Sequence, residues 1–213
     1  MKYKAIIFDL DGVICFTDEY HFLAWQALAK KLGITNFTRE DNAKQRGVSR
    51  MESLEVVLAK SDKKYTYEEK VELANYKNSL YVKMLQNMNE SDLSNEVKST
   101  LTELKNRGIK IAIGSSSKNA PLILNRLGIL NLFDGISDGN NITKSKPNPE
   151  VFLKAAQFIS VEPKECYVVE DAIAGIDAAL AGGFTSVAIG DATKHSGAHY
   201  KISSFSELLN LPF

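Results

Sequence analysis

Ala5-Ile6-Ile7-Phe8-Asp9-Leu10-Asp11-Gly12 is the stretch on which the fold turns. Residues 5–8 form a short, wholly apolar run of strand type. A strand that is apolar at every position, not every second one, is covered on both faces, as in a parallel sheet flanked by helices. Two carboxylates then follow at i and i+2, which point to one side of an extended chain, and Gly12 allows a sharp turn out of the strand. A bare D-x-D is a weak signal, open to a metal clip of a glycosyltransferase or a polar strand end. D-x-D-G closing an apolar N-terminal strand is more specific.

Moving outward, further β-rich runs lie at Lys110–Ile113, Tyr167–Val169 and Ser186–Ile189, with weaker ones near Gly135–Ser137 and Tyr200–Ile202. Helical patterns at Leu101–Asn106, Pro121–Leu127, Glu150–Phe158 and Ile173–Ala181 separate them. Gly108, Gly128 and Gly183 stand just beyond helical stretches, where a left-handed residue is wanted. This alternation predicts an α/β fold with a doubly wound, Rossmann-like parallel sheet. From about Phe16 to Leu93 the alternation stops and only helical patterns appear, at Tyr20–Leu32, Met51–Ala59 and Glu68–Met88. The expected organisation is a core of residues 1–15 and 94–213 with an all-helical insert, residues 16–93, whose connections near Cys15–Asp18 and Asn89–Asn95 act as hinges.

The chain has 213 residues, 44% of them hydrophobic, with 26 basic and 26 acidic side chains. That is enough apolar material for a core, and the charge balance gives no support to a nucleic-acid or anionic-membrane partner. Cys15 and Cys166 show neither metal-ligand spacing nor a disulfide framework and read as half-buried thiols. No apolar run is long enough to cross a bilayer, so a cytoplasmic protein is the default; a monomer is expected as well.

Ligands of such sheets bind beyond the carboxyl ends of the strands. Asp9 and Asp11 follow the first run. Gly114-Ser115-Ser116-Ser117-Lys118-Asn119 follows Lys110–Ile113; these are ordinary helix caps or a cradle of hydroxyls and free N–H groups for a phosphate. Lys146, an otherwise unremarkable surface residue, is stiffened by Pro147 and Pro149. Glu170-Asp171 after Tyr167–Val169 suits a helix start or a magnesium site. Each bland reading stands alone, but acids, hydroxyls, a lysine and more acids at successive strand ends argue together for phosphoryl transfer.

Asp9-Leu10-Asp11-Gly12, Ser115, Lys146-Pro147 and Glu170-Asp171 resemble the four signature motifs of the haloacid dehalogenase superfamily, and the helical insert resembles its four-helix cap. Within the insert, Thr17-Asp18-Glu19-Tyr20-His21-Phe22, Trp25, Arg46-Gly47-Val48-Ser49-Arg50, Ser53 and Lys77-Asn78 are similar to the β-phosphoglucomutase family. Phe16, where an acid is common, and Ser94-Asn95-Glu96, where a Pro-Gly pair is common, depart from that pattern at the hinges.

The resemblance implies interconversion of β-glucose 1-phosphate and glucose 6-phosphate through a bisphosphate, with Asp9 as nucleophile, Asp11 as general acid/base, and Ser115 and Lys146 assisting. It implies Mg2+ held by Asp9, Asp171, the Asp11 backbone carbonyl and Glu170. It also implies that Thr17 and His21 position Asp11, that Arg50, Ser116, Ser117, Lys118 and Asn119 take phosphate, and that Gly47, Val48, Ser53 and Lys77 contact the sugar. Trp25 reads equally as core packing, and Arg50 and Lys77 as solvated helix charges. A sugar-phosphate phosphatase on the same scaffold, and a non-catalytic sugar-phosphate binding module, are the competing readings.

Overall fold

The computed structural model describes residues 2–213; Met1, with which the expected core begins, lies outside the described residues. Among the described residues six strands form one sheet: β1 (Ala5–Phe8), β2 (Lys110–Gly114), β3 (Gly135–Ser137), β4 (Cys166–Glu170), β5 (Thr185–Ala188) and β6 (Tyr200–Lys201). Their order is β3-β2-β1-β4-β5-β6 and all the pairings are parallel. β1 is central, with Ile7 opposite Ala112 on β2 and Val168 on β4. The chain winds outward through β2 and β3, then returns to β4 on the other side. The strand order therefore reverses beside β1, and its carboxyl end opens on the crevice where such sheets take ligands.

β1 is buried throughout because its alternate residues feed different layers. Ile6 and Phe8 pack with Leu101 and Leu104 of α5 (Asn95–Asn106), Ile123 and Leu124 of α6 (Ala120–Arg126), and Phe205 near the C-terminus. Ala5 and Ile7 pack with Val151, Phe152 and Ala155 of α7 (Glu150–Phe158) and Ala178 and Ala179 of α8 (Ile173–Ala181).

Between β1 and α5 the chain is helical: α1 (Asp18–Lys31), α2 (Arg39–Ala43), α3 (Arg50–Leu58) and α4 (Tyr67–Leu85). Phe22, Trp25, Leu28, Leu54, Val57 and Ala74 give these helices a separate apolar centre. Ala24, Tyr81 and Leu85 at their base belong instead to the cluster on the sheet. Thr38 with Asp41, Ser49 with Glu52, and Thr66 with Glu69 form capping boxes that start α2, α3 and α4. α2 has five residues, too few for a periodic pattern, and the sequence reading passes over it. α5 starts at Asn95, earlier than expected, because Ser94 Oγ accepts from Val97 N at 3.1 Å. Gly108, Gly128 and Gly183 take φ of 76°, 71° and 76° just beyond α5, α6 and α8, as the sequence requires. Cys15 and Cys166 are fully buried rather than half-buried. Among the described residues no helix is long and apolar enough to cross a membrane.

Candidate active site

Asp9 is the first residue past β1, and its N–H donates to the Val169 carbonyl of β4 at 3.0 Å. This bond aims its side chain at the end of β4, where Glu170 is the last strand residue and Asp171 the next. Asp9, Glu170 and Asp171 each bring one carboxylate oxygen within 4.8 Å of the others. The Lys146 ammonium, buried beneath them, donates to both Asp9 and Glu170. Burial opposes the Lys146 charge, but the two carboxylates outweigh it and hold the ammonium above the ordinary lysine range. Asp171 is pushed up to about 8 by burial and then by the charges of Asp9 and Glu170. Burial likewise raises Glu170, with Lys146 pulling the other way. Two buried acids and the half-buried Asp171 crowd around one ammonium, and their hard oxygen donors fit a divalent cation.

Two glycines make this packing possible. Gly12 has φ 91°, and a Cβ there would lie 2.2 Å from Asp171 Oδ2. A Cβ on Gly175, in the first turn of α8, would lie 2.0 Å from Glu170 Oε1.

The Asp11 carboxylate receives the Thr17 hydroxyl. Burial, and then the Asp9 charge, push Asp11 up to about 6 against Thr17, Lys146 and Lys77. Thr17 is fully buried, whereas its neighbour Phe16 is 81% exposed.

A cavity of about 1030 Å³ extends from Asp9 and Asp11 across to the helices of the insert. Among the expected site residues, Lys146 does not line it; the others do. His21 is not bonded to Asp11. Its Nδ1 lies 2.9 Å from the Lys77 ammonium, and burial, then Lys77 and Arg50, hold the ring well below its usual range, so it accepts from Lys77. Lys77 is no solvated charge: it is 2% exposed, with its ammonium over the rings of Trp25 at 4.5 Å and Tyr81 at 4.6 Å. Burial, then Arg50, bring it down to about 7. Trp25 serves both readings, since it is 1% exposed in the apolar centre of the insert and also faces the cavity. Arg50 and Ser53, on α3, stand on the same wall. Tyr81 carries no signal in the sequence, being one more aromatic on an apolar helix face; its ring packs tilted against His21 at 4.2 Å.

On the opposite wall, Ser115 Oγ accepts from Ser117 N at 3.1 Å and Ser117 Oγ from Asn119 N at 3.3 Å, so each hydroxyl keeps its own proton free to donate. Ser116 Oγ donates to the Gly47 carbonyl at 3.0 Å, and Asn119 Nδ2 to Asn78 Oδ1 at 3.0 Å. These bonds join the sheet end to the insert, which is thus closed over the site. Val48 and the exposed Lys118 complete the rim.

An acidic strand end, a buried lysine and a helical lid on a parallel sheet define a class. Residues 6–189 match the haloacid dehalogenase-like hydrolase family, and the chain belongs to it. Within that family it sits among the β-phosphoglucomutases. It is 43% identical to the β-phosphoglucomutase of Bacillus subtilis over 96% of this chain and 91% of the other. A crystal structure of β-phosphoglucomutase from Clostridium difficile superposes with a TM-score of 0.91 at 41% identity, covering 97% of this chain and 93% of that one. A phosphorylated carbohydrates phosphatase of Thermotoga maritima is 27% identical over 86% of this chain and 83% of its own length.

Proposed function

We propose that the chain is a magnesium-dependent β-phosphoglucomutase that interconverts β-glucose 1-phosphate and glucose 6-phosphate through β-glucose 1,6-bisphosphate. One observation carries the reading beyond family membership. A single cavity joins Asp9 and Asp11 at one end to Arg50 and the Ser117–Asn119 turn at the other. A sugar phosphorylated at both ends fits such a two-ended site.

Asp9 and Asp171, with the Asp11 carbonyl and Glu170 directly or through water, would hold Mg2+. When bound, the ion offsets the charge of the carboxylates and of the moving phosphoryl group. Starting from phospho-Asp9, the sugar's free 6-hydroxyl attacks phosphorus, its proton passes to Asp11, and the Asp9–phosphorus bond breaks to give the bisphosphate. The bisphosphate turns end over end. Asp9 then attacks the phosphoryl group at the 1-position, and Asp11 returns its proton to the departing oxygen. A carboxyl group near pH 6 suits both halves of that cycle. Lys146 balances Asp9 and Glu170 from below, and the Ser115 hydroxyl and Ser116 N–H address the equatorial oxygens. Arg50, Ser117, Lys118 and Asn119 take the distal phosphate, Arg50 through its planar fork. Gly47, Val48, Ser53, Lys77, His21 and Trp25 frame the sugar, and Thr17 orients Asp11. The closed insert keeps water from phospho-Asp9. We read the chain as a monomer, and the free, buried thiols suit the cytoplasm.

The test is a coupled assay for glucose 6-phosphate with Mg2+, catalytic bisphosphate and either anomer of glucose 1-phosphate. The β anomer alone should turn over. Fast release of inorganic phosphate with little glucose 6-phosphate would favour the phosphatase reading. Arg50→Ala should impair isomerisation far more than phosphorylation of Asp9 by a small acyl phosphate.

A further inference from the structure

Each strand end considered so far has a chemical part, but β5 also delivers an acid to the site. Its carboxyl end runs into a short turn, Gly190–Lys194, that carries Asp191. Ala192 N donates to the Asp171 carbonyl at 2.9 Å, so this turn is tied to the site. Across the seam, Arg46 sits between α2 and α3 of the insert. Its Nη1 reaches Asp191 Oδ2 at 3.1 Å, and its Nε lies 3.7 Å from Asp18 Oδ1 at the start of α1. Asp18 is held in turn by Asn42 Nδ2 at 2.9 Å. The next residue, Gly47, bonds Ser116 at the end of β2, and a Cβ on it would touch Ala172 at 3.8 Å and Lys146 at 3.9 Å. Residues 46 and 47 therefore meet the ends of β2, β4 and β5 together. Ser116 and Asn119 also bond across the seam, but they are proposed to take phosphate and would exchange partners when substrate enters. Arg46 and Asp191 line the same cavity, and the Arg46 charge reaches Asp171, but neither is proposed to bond phosphate or sugar.

We infer that Asp191 is a positioning residue: it anchors Arg46 across the seam and holds the insert shut over Asp9 and Asp171. The inference rests on the proposed function in one respect, namely that closure matters because phospho-Asp9 must be kept from water. Arg46 and Asp191 are each about half exposed, with side-chain exposures of 41% and 58%. The anchor therefore shifts the closed-to-open ratio by about two- to fivefold, the size of a well-formed exposed ion pair. It fades with salt, since the screening length falls from about 10 Å at 0.1 M to about 3 Å at 1 M.

The experiment reads closure directly, without turnover. Cysteines placed at the exposed Lys64 on the insert and Lys164 on the core carry spin labels, while the native Cys15 and Cys166 are buried. Pulsed dipolar distances are recorded for the parent, for Asp191→Asn, and for Lys194→Ala. The last variant removes the other cation on Asp191, 2.6 Å away. Asp191→Asn should move population to the long distance by two- to fivefold at low salt and by nothing at 1 M salt; Lys194→Ala should leave the distribution unchanged. In the coupled assay Asp191→Asn should raise KM more than it lowers kcat, and should release more inorganic phosphate per glucose 6-phosphate formed. Arg46→Ala should add nothing to its effect. An unchanged distance distribution in Asp191→Asn at low salt, or full additivity with Arg46→Ala, overturns the anchor. Absence of isomerisation in the parent would instead sink the mutase reading and leave the distance result standing.

Discussion

Gly175→Ala sets two effects of opposite sign against each other. In a helix interior, alanine in place of glycine ordinarily stabilises by about 1 kcal/mol. Here the new Cβ would fall 2.0 Å from both Cδ and Oε1 of Glu170. Real Cβ contacts stay beyond 3.0 Å, so the carboxylate must retreat by at least about 1 Å. Glu170 is 1% exposed and cannot swing into water. Retreat costs its bond to the Lys146 ammonium and the one it accepts from Ala172 N at 2.9 Å. Breaking a buried pair costs about 3–5 kcal/mol. The net loss is therefore about 2–4 kcal/mol, or a fall in Tm of roughly 5–15 °C for a chain of this size. Activity should drop about a hundredfold, the usual result of a 1 Å misplacement in a transfer site. Calorimetry and Mg2+ titration of the purified variant measure both. A Tm equal to or above the parent's, with parental Mg2+ affinity, would mean that helix propensity wins and that Glu170 is not wedged as described.

Mg2+ affinity should rise with pH up to about 8 and then level, because the ion must displace the proton that burial, Asp9 and Glu170 keep on Asp171. Titration calorimetry in buffers of different ionisation enthalpy should detect that proton, and a pH-independent affinity would contradict the site. Thr17→Val removes a hydrogen bond that holds Asp11 down. The limb of the kcat/KM profile near pH 6 should move to higher pH, with a loss of about 10–100-fold; an unmoved limb would detach Thr17 from Asp11. Trp25→Ala empties the centre of the insert and should cost about 3–5 kcal/mol by urea denaturation, with Trp25→Phe much milder; a small loss in Trp25→Ala would make this residue a sugar contact alone.

The central strand, the sheet class and the acids at its end were legible because their signals are local: an apolar run, a period, a D-x-D-G. The closed arrangement was not. Lys146 is expected to offset the charge of Asp9, but its place beneath Asp9 and Glu170, off the cavity wall, has no local signal. His21 is expected to help position Asp11; the bond it makes is to Lys77, 56 residues along the chain. Gly175 looks like any small residue in a helix until Glu170 is placed against it. Asp191 follows an apolar run and a glycine, the same local pattern as the other strand ends, but only the approach of Arg46 gives it a role. In each case the missing information is which distant elements meet, and tertiary packing alone supplies it.

The most direct measurement follows phosphorus itself. Phosphorus NMR of β-glucose 1-phosphate with Mg2+ and a trace of β-glucose 1,6-bisphosphate reports every phosphorylated species at once. The parent chain should convert the 1-phosphate signal into that of glucose 6-phosphate with little inorganic phosphate, and Asp9→Asn should leave the mixture unchanged. Inorganic phosphate as the main product, or turnover that survives Asp9→Asn, would contradict the claim that Asp9 carries phosphate between two oxygens of one sugar.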